Sequence, residues 1–176
     1  MRQLIDAASH NLRNLARFAG RERRGSFWRY VLVVYVAHMA LSLLVTMTLM
    51  IGMFGRSGPG PFATMFDTTL LFTAISGATF VLLLAASAVR RLHDTGRSGL
   101  WMLLPLPFLA TGLWGMHQIR SSLRDGGEPE GSFGLLVANN FIYLAVLGFL
   151  IFLLARPGNA GPNRFGPDPL GVERPY

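Results

Sequence analysis

The stretch F-G-L-L-V-A-N-N-F-I-Y-L-A-V-L-G-F-L-I-F-L-L-A, residues 133–155, decides the fold, because it runs its whole length without Asp, Glu, Lys or Arg. A helix rises about 1.5 Å per residue, so such a segment crosses the ~30 Å hydrocarbon core of a bilayer. Three more segments, at about residues 27–54, 68–89 and 99–117, read the same way once their flanking ends are trimmed. The composition agrees: 51% of the 176 residues are hydrophobic, 14% are charged, and thirteen are Phe. That balance is too apolar for a soluble domain of this size. The expected fold is all-α, a membrane bundle of four transmembrane helices over residues 27–155, with residues 1–26 and 156–176 as polar flanks.

The third span carries Pro105 and Pro107. Proline removes a helical hydrogen bond, so this span is expected to kink or break near mid-membrane, with a re-entrant segment as the alternative. The first apolar run starts only near Phe27 and is too long for the core of a cleaved signal, so it reads as a retained anchor. Cysteine is absent, which removes disulfides and thiolate chemistry.

Orientation follows from arginine, the chain's sole basic residue besides histidine. Four spans put the N-terminal segment, the loop after span two and the C-terminal tail on one side. Together these hold thirteen of the sixteen basic residues, and Arg56, Arg120 and Arg124 fall on the other side. Short loops rich in Arg stay cytoplasmic, so both termini are expected in the cytoplasm. The opposite loops are short, one built on Gly58-Pro59-Gly60-Pro61 and the other on the acidic Asp125–Glu130 stretch. Within residues 1–19, Leu4, Ile5, Ala8, Leu12, Leu15 and Ala16 recur at helical spacing. They predict an amphipathic helix lying in the membrane interface, the competing reading being a loosely ordered basic tail.

Topology alone therefore brings three polar segments to one membrane face. They are G-R-E-R-R-G-S-F-W (20–28), R-R-L-H-D-T-G-R-S-G (90–99) and G-P-N-R-F-G-P-D-P (161–169). The candidate site drawn from them comprises Arg21, Arg24, Arg90, Arg91, His93, Asp94, Arg97, Asn163, Arg164 and Asp168. Guanidinium groups bind phosphate in a bidentate fashion, and anionic headgroups lie at this depth, so headgroup binding is one reading. The competing reading is an ion-pair network in which Glu22, Asp94 and Asp168 neutralise the arginines and lock the segments together. The tail has too many Gly and Pro for a helix. It is expected to fold back under the bundle, Asp168 pairing with Arg90 or Arg91 and Asn163 bonding loop backbone.

These three motifs, G-R-x-x-R-x-x-F-W, R-R-L-H-D-T-G-R-S-G-L-W and N-R-F-G-P-D-P, resemble domain-of-unknown-function family number 805, small bacterial inner-membrane proteins. The resemblance covers roughly residues 18–170 and implies a four-helix polytopic protein of the bacterial inner membrane, without an assigned activity. Residues 1–17 extend beyond it.

The remaining chemistry is sparse. His93 beside Asp94 is no catalytic pair on adjacency alone, and Ser26, Thr95 and Ser98 lie in no nucleophile elbow or triad context, so no catalytic residue is assigned. His10, His38, His93 and His117 are scattered without ligand spacing, and neither a metal nor a cofactor is expected. His38 lies about 15 Å into the bilayer, where an ionisable side chain is either functional or bonded to a facing helix. The net charge of +7 sits at membrane boundaries without interleaved aromatics, which argues against nucleic acid. Two functions follow: a non-enzymatic module binding anionic lipid or a partner protein through the arginine cluster, or a small transporter or lipid-moving protein using the kinked third span and His38. A homo-oligomer suits so small a bundle.

Overall fold

A computed structural model describes residues 2–54, 61–126 and 130–171. The described residues form helices α1 (Arg2–Arg13), α2 (Arg24–Phe54), α3 (Pro61–Asp94), α4 (Leu106–Arg124) and α5 (Glu130–Ala155), with a 3-10 turn at Gly99–Leu103 before α4. Four stretches are long and apolar enough to cross a membrane: Arg24–Gly52, Leu71–Asp94, Gly99–Ser122 and Phe133–Ala155. Arg56, the Gly58–Gly60 part of the first opposite loop, residues 127–129 of the acidic loop and Arg174 lie outside the described residues.

Helices α2 and α3 pack as one antiparallel pair and α4 and α5 as a second. Their outward side chains are bare, Leu43 at 61% and Leu135 at 72% exposure among them. In water such surface would be intolerable; in hydrocarbon it costs nothing, because lipid tails are as apolar as leucine. Within the second pair, Asn139 donates to the Phe108 carbonyl at 3.0 Å and accepts from Thr111 Oγ1 at 2.6 Å. Gly112 and Gly115 let the helices approach this closely, since an added Cβ would meet Asn139 and Leu136 at 3.2 Å.

The two pairs are tied at the arginine-rich end. Phe27 of α2, Ala88 and Leu92 of α3, and Leu150, Leu153 and Leu154 of α5 make a closed apolar cluster there, with Trp28, Val31 and Met102 against it. This small core lies directly beneath the polar segments and gives them a fixed base.

Two elements differ from expectation. Helix α3 continues through Arg90 and Arg91 to Asp94, so the first half of the middle motif is a helix end and not a loop. Its stop is a Schellman turn: Gly96 takes φ +73°, its N–H reaches the His93 carbonyl, and the Arg97 N–H reaches the Leu92 carbonyl, both at 3.0 Å. The proline break, expected at mid-membrane, lies instead at the start of α4, with Pro105 as N-cap and Pro107 in the first turn. There the missing N–H is one no helix would use, so the rest of α4 runs on unbroken to Arg124.

Candidate functional site

Arg90 and Arg91 are consecutive on a helix, so their side chains leave the axis about 100° apart and reach different neighbours. Arg90 turns to the N-terminal segment. Its Nε and Nη2 donate to Glu22 Oε2 at 3.2 and 2.9 Å, Nη2 also to Asn11 Oδ1 at 2.5 Å, and Nη1 to the Asn14 and Arg17 carbonyls at 3.1 and 2.5 Å. These carbonyls lie just past α1, whose end has the acceptor groups that a cation satisfies best. Arg91 turns to α5. It is fully buried, donates from Nε to the Leu154 carbonyl at 2.9 Å, and reaches the Arg156 carbonyl and Asp94 from its two Nη atoms. It thereby caps the last turn of α5, where four carbonyls lack helical partners.

Two carboxylates neutralise these cations. Glu22 is 4% exposed and accepts from Asn11 Nδ2 at 2.8 Å, Ser87 Oγ at 2.9 Å and Arg90, with Ser26 Oγ at 3.4 Å. Asp94 pairs with Arg91 on one oxygen and with Arg21 at 2.9 Å on the other. Arg21 goes on to the tail, donating to the Gly161 and Asn159 carbonyls at 2.6 and 2.5 Å. No enclosed side-chain nitrogen or oxygen of the described residues lacks a partner. A buried ion pair is favourable only when its remaining hydrogen-bonding positions are filled, and here they are.

The tail completes the assembly. Asn163 donates to the His93 carbonyl at 3.0 Å and accepts the Phe165 N–H at 2.9 Å, while Asn163 and Gly166 exchange backbone bonds to close a tight turn. Phe165 stacks on the His93 ring with centroids 3.9 Å apart and planes 2° from parallel. The other side of His93 is fixed by Nδ1 donating to the Gly20 carbonyl at 3.2 Å. Arg164 lies over Phe165 and donates to the Gly96 carbonyl at 3.3 Å. Asp168 accepts N–H groups from Gly161 and Leu170, both at 2.9 Å. The expected Asp168 pairing with Arg90 or Arg91 is therefore replaced by Glu22 and Asp94, which lie nearer the guanidinium groups, and Asp168 shapes the tail. The expected Asn163 bond to loop backbone is present.

Of the residues singled out in the sequence, Arg21, Arg90, Arg91, His93, Asp94, Asn163 and Arg164 meet in this one assembly. Arg24 stands at the start of α2, its Nη1 3.5 Å from the Ala155 carbonyl. Arg97 joins through its backbone. His38 lies apart, on α2, its ring centroid 5.1 Å from that of Phe80. The site draws in Asn11, Ser87 and Asn159 as well, and sequence reasoning passed over them. Asn11 had a signal: it falls four residues after Ala7, and these two, not Leu12 or Ile5, form the buried edge of α1. The apolar residues Ile5 and Leu12 are 63% and 50% exposed.

Beside the buried network lies a cavity of about 320 Å³, bordered by Arg23, Arg24 and Gly25 at the start of α2, by Gly158 and Asn159, and by Asp168 and Leu170. The Arg91 and Asp94 pair forms its floor. Arg23 and Arg24 are exposed, and no carboxylate of the described residues pairs with either. Arg24 and Gly25 on the cavity's border are also the first residues of α2, and a helix N-terminus favours negative charge.

A family model described as "Protein of unknown function (DUF805)" matches residues 15–167. The inner membrane protein YhaH of Escherichia coli K12 is 30% identical over 161 residues, covering 90% of this chain and 91% of its own. The inner membrane protein YhaI of the same organism is 27% identical over 160 residues, covering 90% of each chain. No solved structure matches the chain.

Proposed function

Because the chain belongs to the DUF805 family, an all-helical membrane protein with relatives in the bacterial inner membrane, we propose that it is a non-enzymatic module that holds an anionic lipid headgroup at its arginine-rich, cytoplasmic end. Both termini lie in the cytoplasm on this reading, which the arginine bias supports.

The observation that carries it is the division of labour among the arginines. Arg21, Arg90 and Arg91 are consumed in enclosed contacts with Glu22 and Asp94. Arg23 and Arg24 border an open cavity at the level of the span ends, and neither forms a salt bridge with a carboxylate of the described residues. A phosphate there meets two guanidinium groups and a helix N-terminus on a rigid floor. Of the lining carboxylates, Asp94 is already shared by two arginines, and Asp168, which keeps its charge, has one oxygen on the Gly161 N–H and the other on the Leu170 N–H.

Transport is less well supported. Two sets of intramembrane polar groups stand out among the described residues, His38, Ser76 and Thr79 between α2 and α3, and Thr111 bonded to Asn139 between α4 and α5. No hydrogen bond of the described residues joins the two sets, and the proline break lies at the start of α4.

Thermal unfolding in detergent tests the reading. Added phosphatidylglycerol is expected to stabilise the wild-type protein more than phosphatidylcholine does, and the Arg23→Ala/Arg24→Ala variant is expected to lose that difference while folding normally. Each arginine near an anionic surface is worth about 1 kcal/mol, so the pair should shift apparent affinity by at least about tenfold. Equal stabilisation of both proteins by the anionic lipid overturns it.

A further inference from the structure

A second cavity, of about 390 Å³, lies between α2 and α3 and is roofed by Ala8 and Leu12 of α1. It follows α2 from Tyr30 to Leu41, a length of roughly 16 Å. Among the described residues no Asp, Glu, Lys or Arg lines it; its walls are apolar except for four groups, Tyr30, His38, Ser76 and Thr79, and the Tyr30 hydroxyl donates to the Leu83 carbonyl at 2.9 Å.

Their hydrogen bonding is unbalanced. Ser76 Oγ donates to the Thr73 carbonyl at 3.4 Å and Thr79 Oγ1 to the Ile75 carbonyl at 2.8 Å, so each hydroxyl has given its proton to its own helix and keeps only lone pairs. No hydrogen bond reaches the His38 imidazole from the described residues; its one ring contact is with Phe80. A polar group at this depth without a partner is costly, because hydrocarbon offers none. An ordinary acyl chain filling the cleft would leave that cost in place.

We propose that this cleft binds an uncharged lipophile carrying a hydroxyl group, such as an alkylphenol or an isoprenoid alcohol. Four acceptors, the bare imidazole nitrogen and the hydroxyl oxygens of Tyr30, Ser76 and Thr79, stand against one donor, the imidazole N–H. A hydroxyl supplies the missing proton and accepts the single N–H, whereas a ketone or ester oxygen only accepts. The volume suits a small ring with a short tail. The absence of a lining cation among the described residues argues against a carboxylate or phosphate, and the position of His38, at the middle of the Arg24–Gly52 span, argues against a phospholipid whose polar part must stay at the surface. This site is separate from the arginine-lined cavity, and neither proposal depends on the other.

The test uses the full chain in lipid nanodiscs with 15N-labelled histidine, titrated with 4-octylphenol and, in parallel, with octylbenzene. The expected result is a saturable shift of the His38 ring nitrogens by 4-octylphenol, at an affinity about tenfold above that for octylbenzene, the weight of one well-made hydrogen bond. Thr79→Val, nearly isosteric, and Ser76→Ala should each reduce that preference while His10, His93 and His117 stay unmoved. His38→Phe should abolish it. Equal affinity for the two probes makes the cleft a nonspecific chain groove and overturns the proposal. Binding of neither probe, with cross-linking of two copies through Leu41→Cys, assigns the cleft to a second copy and overturns it equally.

Discussion

At the residue scale, the chain solves a problem that two adjacent buried arginines pose. Arg90 is 5% exposed and Arg91 is 0% exposed. Each would be ruinous if unpaired, since removing one partner of a buried ion pair costs about 3–5 kcal/mol. Glu22→Ala should therefore lower unfolding stability by about that amount, measured by thermal or denaturant unfolding in detergent. The double variant Glu22→Ala/Arg90→Met should be more stable than Glu22→Ala alone, because it removes the stranded cation. A double-mutant cycle on Arg91 and Asp94 should show coupling, whereas Arg91→Ala and Asp168→Ala should be additive. Gly96 is fixed by conformation: at φ +73° with an added Cβ only 2.7 Å from Asn159 Nδ2, Gly96→Ala should cost about 1 kcal/mol or more by the same measurement. The sequence made the density of charge in residues 90–99 plain, and named Glu22, Asp94 and Asp168 as the available acids. Which acid meets which guanidinium was not readable, because it depends on the 100° divergence of neighbouring side chains and on where the tail turns.

At the scale of elements, the arginines act as caps. Arg91 closes the C-terminus of α5 and Arg90 the carbonyls after α1, so one turn of α3 fixes the ends of two other helices. The spans themselves were legible from hydropathy, since a charge-free run of bilayer length has few other uses. The proline break was misplaced because two prolines in an apolar run look alike whether they interrupt a helix or open it. The 3-10 turn at Gly99–Leu103, where Gly99 lets Val89 pack within 2.7 Å of the place a Cβ would occupy, moves the helix start to Leu106. Consequently Pro107→Ala should change stability by less than about 1 kcal/mol, while Ala110→Pro, inside α4, should cost about 3 kcal/mol or more. Asn139→Leu should weaken the α4 and α5 pairing by about 0.6–1.7 kcal/mol, read from unfolding in detergent.

At the scale of the whole molecule, two helix pairs stand side by side in lipid, joined by the small core and the ion network at one end. That convergence of three segments was foreseeable from an even number of spans, since both termini and the middle loop must share a face. The absence of cysteine makes the orientation directly measurable: Phe18→Cys and Ala160→Cys should react with an impermeant maleimide only after cell lysis, and Asp125→Cys before it. The rigid end of the bundle is also what gives Arg23 and Arg24 a fixed cavity, and the central claim is that this cavity holds an anionic headgroup. Native mass spectrometry of the gently extracted protein tests it most directly, with Arg23→Ala/Arg24→Ala as the comparison because those side chains, unlike Arg90 and Arg91, carry no buried contact. The expected result is an anionic phospholipid retained on the wild-type protein and lost from an equally folded variant. Retention of the same lipids by both would contradict it and leave the arginine-rich end as a structural lock alone.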